Sequence, residues 1–224
     1  MQATLPLVLL KLLLRLFDFN VVRVYLAKLP ELLDESKLAL LGAARAKELN
    51  NIKNERVRRE KYHVWRLLEY ALSDALGFDI SSLAIEKNEN GKWVCPSGEC
   101  YFSISHSRGV LCVAVSDISV GVDVEEIRSP SSDVCAFAQK ILNEKELVEF
   151  SRLGESLRIE HLISKWTQKE AIFKRLGGKT FTASDISTEN DFCQTEKFIL
   201  EEKEYFVSVS AEQDFLLECR IAEL

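Results

Sequence analysis

Asp123 and Glu125 stand two residues apart in Gly121-Val-Asp-Val-Glu-Glu-Ile127. In an extended strand, side chains two apart point to the same side, so both carboxylates face one region. Like charges held that closely repel unless a cation lies between them. A pair of oxygen ligands on one strand is half of a site for magnesium, which takes its remaining ligands from waters and substrate phosphates. A third carboxylate, Glu170, lies in Trp166-Thr-Gln-Lys-Glu-Ala-Ile-Phe-Lys174, with Lys174 four residues on along one helix face. That spacing is also the commonest surface ion pair, and taken alone the segment reads first as one. Phe102-Ser-Ile-Ser-His-Ser-Arg-Gly109 places Ser105, His106, Ser107 and Arg108 at a strand end, where hydroxyls, an imidazole, a guanidinium and loop N–H groups make a phosphate cradle. Adjacent Ser105 and His106 diverge, and three histidines in the whole chain leave little from which to build a hydrolytic triad.

The elements that must carry these groups are legible. Alternation predicts a strand over 20–28, then helices over 30–50 and 52–76, the second stopped by Gly77. A short strand over 83–87 leads into Asn90-Gly91, a hairpin-turn dipeptide. Strands are expected over 101–104, 110–116 and 120–125, helices over 133–140, 144–151 and 156–176, and strands over 197–200, 205–210 and 215–220. The expected fold is therefore α+β. Its domains would be an apolar extension over 1–19, an α+β subdomain over 20–117, and a second over 118–224 that carries the metal ligands. A ligand cleft would lie between the two halves.

At 224 residues and 47% hydrophobic, the chain can bury a sizeable core. A formal charge of −6 argues against coating nucleic acid or anionic lipid, so no nucleic-acid partner is expected. The apolar run over 5–17 is interrupted by Lys11 and Arg15 and is too short to span a bilayer, so a core-packed or amphipathic helix is expected there and no stable membrane insertion. Six cysteines without a C-x-x-C pair read as free thiols in a reducing cytoplasm.

In this order and spacing, the three motifs resemble the 4′-phosphopantetheinyl transferase superfamily, of the surfactin-synthetase-activating type. The resemblance implies a pseudo-twofold monomer that binds coenzyme A and Mg2+ between its halves. It also implies transfer of the phosphopantetheine arm to a serine of an apo acyl or peptidyl carrier protein, with release of adenosine 3′,5′-bisphosphate. By position Asp123, Glu125 and Glu170 match the metal ligands, and Glu170 and Lys174 the catalytic pair. Lys174, Ser105 and His106 match groups on the coenzyme's phosphates. Glu146 matches a proposed general base, although Asn143 with Glu146 is also a helix capping box. Among N-terminal cations, Arg45, Lys47 and Arg59 match best the residues that hold the 3′-phosphate, with a solvated helix face as the other reading of each. The chain departs from the family at Gly91-Lys92-Trp93, where a proline is usual after the lysine or arginine, and at Ser103, a frequent asparagine. The rival readings are an inactive carrier-binding homologue and a magnesium-dependent nucleotide phosphohydrolase.

Overall fold

The computed structural model describes residues 20–130, 133–189 and 191–224. The expected extension over 1–19, with its apolar helix, lies outside the described residues. The first strand, β1 (Asn20–Lys28), alternates as its sequence demands: Val22, Val24 and Leu26 face one core, Tyr25 and Ala27 another. Where one helix was expected over 30–50, a 3-10 turn (Glu35–Leu41) precedes α1 (Ala43–Asn50), with Gly42 between them at φ 82°. Helix α2 (Glu55–Leu76) opens on Asn54, whose side chain accepts from Val57 N, and closes on Gly77 at φ 75°. The short strands β2 (Glu86–Lys87) and β3 (Trp93–Val94) pair antiparallel around the Asn90-Gly91 turn.

Strands β4 (Tyr101–Ser107) and β5 (Val110–Ser116) form a hairpin, and β6 (Val120–Glu126) follows within a few residues. Helices α3 (Val134–Ile141), α4 (Glu144–Arg152) and α5 (Glu155–Leu176) precede β7 (Phe192–Leu200), β8 (Lys203–Ala211) and β9 (Phe215–Ile221).

Two sheets organise the chain, in the orders β4-β5-β1-β9 and β6-β8-β7. Their facing sides share an apolar core of Val22, Val24, Cys112, Ala114, Val122, Val124, Val207 and Val209. Helix α2 covers the outer face of the first sheet through Leu67, Leu68 and Leu72 against Val113 and Val115. Helix α5 lies across β6 and β8 of the second. Strand β5 serves both cores, and all seven of its residues are buried. The architecture is thus α+β, as expected.

The last strand crosses the expected boundary at 117/118. β9 pairs parallel to β1, Asn20 opposite Phe215 and Leu26 opposite Ile221, so the first sheet is built from both parts of the chain. Alternation within 215–221 specifies a strand but not its neighbour, and the open edge of β1 supplies that neighbour.

Candidate functional site

One edge of β6 pairs with β8, which leaves the N–H groups of its other edge without a strand partner. β4 runs beside that edge and presents serines at period two. Val122 N donates to Ser103 Oγ at 3.0 Å, and Val124 N to Ser105 Oγ at 3.4 Å. Ser105 Oγ donates to Asp123 Oδ1 at 2.7 Å, and Ser107 Oγ to Glu125 Oε2 at 2.7 Å. The serine ladder therefore joins the two sheets and orients both carboxylates. From above, α5 approaches β6 so closely that a Cβ on Gly121 would stand 2.0 Å from the Ala171 carbonyl oxygen. That approach places Lys174 Nζ 2.7 Å from Asp123 Oδ1 and 2.9 Å from Ser105 Oγ.

Ser105, Asp123, Glu125 and Lys174 line a cavity of about 400 Å³ together with Glu170, His106 and residues of the first part of the chain. Asp123 is 4% exposed, and its Oδ2 is buried without a hydrogen-bond partner among the described residues. Burial, and then the neighbouring Asp123 and Glu125 charges, push Glu170 up to about 7, with Lys174 opposing. Burial likewise raises Glu125, against hydrogen bonds from Ser107 and the Trp166 indole. Burial works against the charge of Lys174, but Asp123 and Glu170 outweigh it and hold its pKa above the usual lysine value.

An orphaned carboxylate oxygen and two carboxyls that resist ionising beside a third are electrostatics that a bound cation would relieve. All the donors are hard oxygens, so the residues fit magnesium. Among the described residues, no three carboxylate, imidazole or thiol groups stand at the spacing of a preformed metal cage. Asp123 is instead drawn to Lys174 and Glu125 to Ser107.

The other expected site residues divide. His106 lines the cavity, 3.8 Å from Glu60 through Nδ1, and burial lowers its pKa. Arg45 lines it too, 2% exposed, its guanidinium 4.7 Å from the ring centre of Trp65. Lys47 is exposed and Arg59 donates to the Glu31 carbonyl at 2.6 Å; neither lines the cavity. Glu146 is also elsewhere. It caps α4 as a capping box with Asn143 and takes the fully buried Lys169 at 2.6 Å. Lys169 further donates to the carbonyls of Ile141 and Ala183, each at 3.0 Å. Glu146 thus closes a buried network, with the capping box formed as its sequence allows.

Sequence reasoning passed over Glu48 and Lys87, and it counted Lys61 among the N-terminal basic residues without selecting it; all three line the same cavity. A signal for Lys61 exists: it stands three, four and seven residues before the buried Val64, Trp65 and Leu68, a charge set into an apolar helical stripe.

The stretch of the chain over 119–219 matches the family model of the 4′-phosphopantetheinyl transferase superfamily. It contains Asp123, Glu125, Glu170 and Lys174. Over 112 residues, 50% of this chain and 49% of the relative, the chain is 24% identical to a 4′-phosphopantetheinyl transferase of Bacillus subtilis. It is 26% identical over 111 residues to the 4′-phosphopantetheinyl transferase gsp of Aneurinibacillus migulanus, covering 50% of this chain and 45% of the relative. A holo-[acyl-carrier-protein] synthase of Bacillus velezensis is 36% identical over 78 residues, 32% of this chain and 64% of the relative. The chain thus spans about half the length of the two transferases it matches.

Proposed function

We propose that the chain transfers the 4′-phosphopantetheine arm of coenzyme A to a serine of an apo acyl or peptidyl carrier protein, dependent on Mg2+, with release of adenosine 3′,5′-bisphosphate. The observation that carries this reading is the convergence of Asp123, Glu125, Glu170 and Lys174 in one cavity beside Ser105 and His106. Asp123, Glu125 and Glu170 would hold the metal ion, which supplies charge neutralisation at the pyrophosphate of coenzyme A. Lys174 brings a fixed ammonium to the same wall, where it offsets charge developing on the leaving phosphate. The neutral His106 imidazole faces the coenzyme's phosphate oxygens, and the cations of the first part of the chain form the opposite wall.

The same reading takes the molecule as a cytoplasmic monomer of two halves related by a pseudo-twofold, with the cleft between them. Its support is that each sheet carries its own 22-residue helix, α2 on one and α5 on the other. Among the described residues no helix is long and apolar enough to cross a membrane.

Incubation with coenzyme A, Mg2+ and an apo carrier should raise the carrier's mass by one phosphopantetheine, read by mass spectrometry, and release the bisphosphate. Bisphosphate formed without any carrier would point to a phosphohydrolase instead. Carrier binding without either product would leave a non-catalytic homologue.

A further inference from the structure

Glu48 gathers the cations of the cavity's far wall. Its Oε2 accepts from Arg45 at 2.6 Å, and its Oε1 accepts from both Lys61 and Lys87 at 2.9 Å. The three cations come from three elements, α1, α2 and β2, and this one carboxylate is what they share. Arg45 is fixed further by donating to the Lys61 carbonyl and by lying 4.7 Å from the ring centre of Trp65 and 5.7 Å from that of Trp93. Burial would raise the pKa of Glu48, yet Lys61, Lys87 and Arg45 outweigh it and hold the carboxyl at about 2. Glu48 is therefore an anion at any working pH.

A phosphate monoester entering this wall meets donors that already serve a carboxylate. It must share the Lys61 and Lys87 ammonium groups with Glu48, and it feels the repulsion of that fixed charge at close range. Three cations against one carboxylate leave a smaller surplus than the basic residues alone suggest, so a terminal phosphate gains little there.

Building on the transferase reading, we propose that Glu48 is a specificity-determining residue: it supplies within the protein the negative charge that a terminal phosphate would bring. The cavity then accepts coenzyme A derivatives with and without the 3′-phosphate to similar extents. Its substrate class is the wider one of adenine nucleotides that carry a phosphopantetheine arm through a pyrophosphate.

Calorimetric titration tests this with two pairs of probes, adenosine 3′,5′-bisphosphate against adenosine 5′-monophosphate, and coenzyme A against 3′-dephospho-coenzyme A. In the wild-type protein each pair should differ by less than about threefold in affinity, below the worth of one charge-assisted hydrogen bond. In Glu48→Gln the phosphorylated member of each pair should gain roughly tenfold over the other, because the freed ammonium groups turn to the ligand. A purely structural role for Glu48 would shift both members equally and leave the ratio unchanged, which overturns the proposal. So does a ratio that falls in the variant, or a wild-type preference for the 3′-phosphate beyond about thirtyfold. The wild-type ratios decide alone if thermal unfolding shows that Glu48→Gln does not fold. Failure of coenzyme A itself to bind the wild-type protein would overturn this proposal and the transferase reading together, whereas similar binding of both coenzymes without carrier modification would overturn only the latter.

Discussion

Asp123 is the residue on which the site turns, since it meets Ser105 and Lys174, lines the cavity and keeps one carboxylate oxygen buried. Asp123→Ala should lower carrier modification by roughly 100-fold or more while the circular dichroism of the fold persists. The physical reason is that it removes one charge from a set of carboxyls that repel. Undiminished turnover would exclude the metal role. Glu146 should behave in the opposite way. Removing it alone strands the fully buried ammonium of Lys169, a loss of about 3–5 kcal/mol in unfolding free energy. The double change Glu146→Leu with Lys169→Met should recover most of that loss together with activity, whereas stability recovered without activity would make Glu146 a catalytic residue after all. Lys92 supplies a pH test. Burial, aided by Arg175, lowers it from 10.5 to about 8. A lysine with a depressed folded pKa binds fewer protons folded than unfolded, so stability is lowest below pH 8 and rises between pH 8 and 10.5. The difference between the wild-type and Lys92→Met stability curves should therefore change across that window, and parallel curves would contradict the assignment.

Among the elements, the contact of α5 with β6 sets the geometry of the chemistry. It carries Glu170 and Lys174 to the carboxylates of β6, and only the missing side chain of Gly121 permits it. A Cβ there would stand 2.0 Å from the Ala171 carbonyl oxygen and 2.5 Å from the Arg175 amide, backbone atoms that a rotamer change cannot move aside. Gly121→Ala should lower Tm by roughly 5 °C or more through overpacking. Carrier modification should also fall in the fraction that stays folded, because the helix is displaced from Asp123. The serine ladder is the second determinant at this scale. Ser103→Ala leaves the buried Val122 N–H without its acceptor, and about 1–3 kcal/mol of stability should be lost in denaturant titrations.

For the molecule as a whole, β9 ties the end of the described chain to its first strand. A fragment over 20–117 lacks that partner for β1, and it exposes the inner face of the first sheet, including Val22, Val24, Cys112 and Ala114. It should show no cooperative thermal unfolding by circular dichroism, and a sharp transition would make 20–117 an independent folding unit. The acidic balance of the chain also takes on a local meaning. With a formal charge of −6, attraction of a phosphate must be local, and in this cavity Glu48 tempers the cations that would supply it.

Local pattern determined most of the elements and the identity of the central site residues. The strand over 20–28, the helix stops at Gly77 and Gly177, and the Asn90-Gly91 turn follow from alternation, αL glycines and turn chemistry, all of which act over a few residues. Asp123 and Glu125 could be read as a pair because strand periodicity alone puts them on one face, and Glu170 and Lys174 because a helix turn does. Tertiary structure alone decided the rest. Glu146 faces Lys169 and not the cavity, since the capping box and the buried ammonium compete for a carboxylate whose direction no local pattern sets. Lys47 and Arg59 point away while Lys61 and Lys87 point in, because which cation meets the cavity depends on how α1, α2 and β2 dock around Glu48. The neighbour of β9 was likewise open until β1 offered an edge, for strand pairing is chosen by which edges the packed core leaves available.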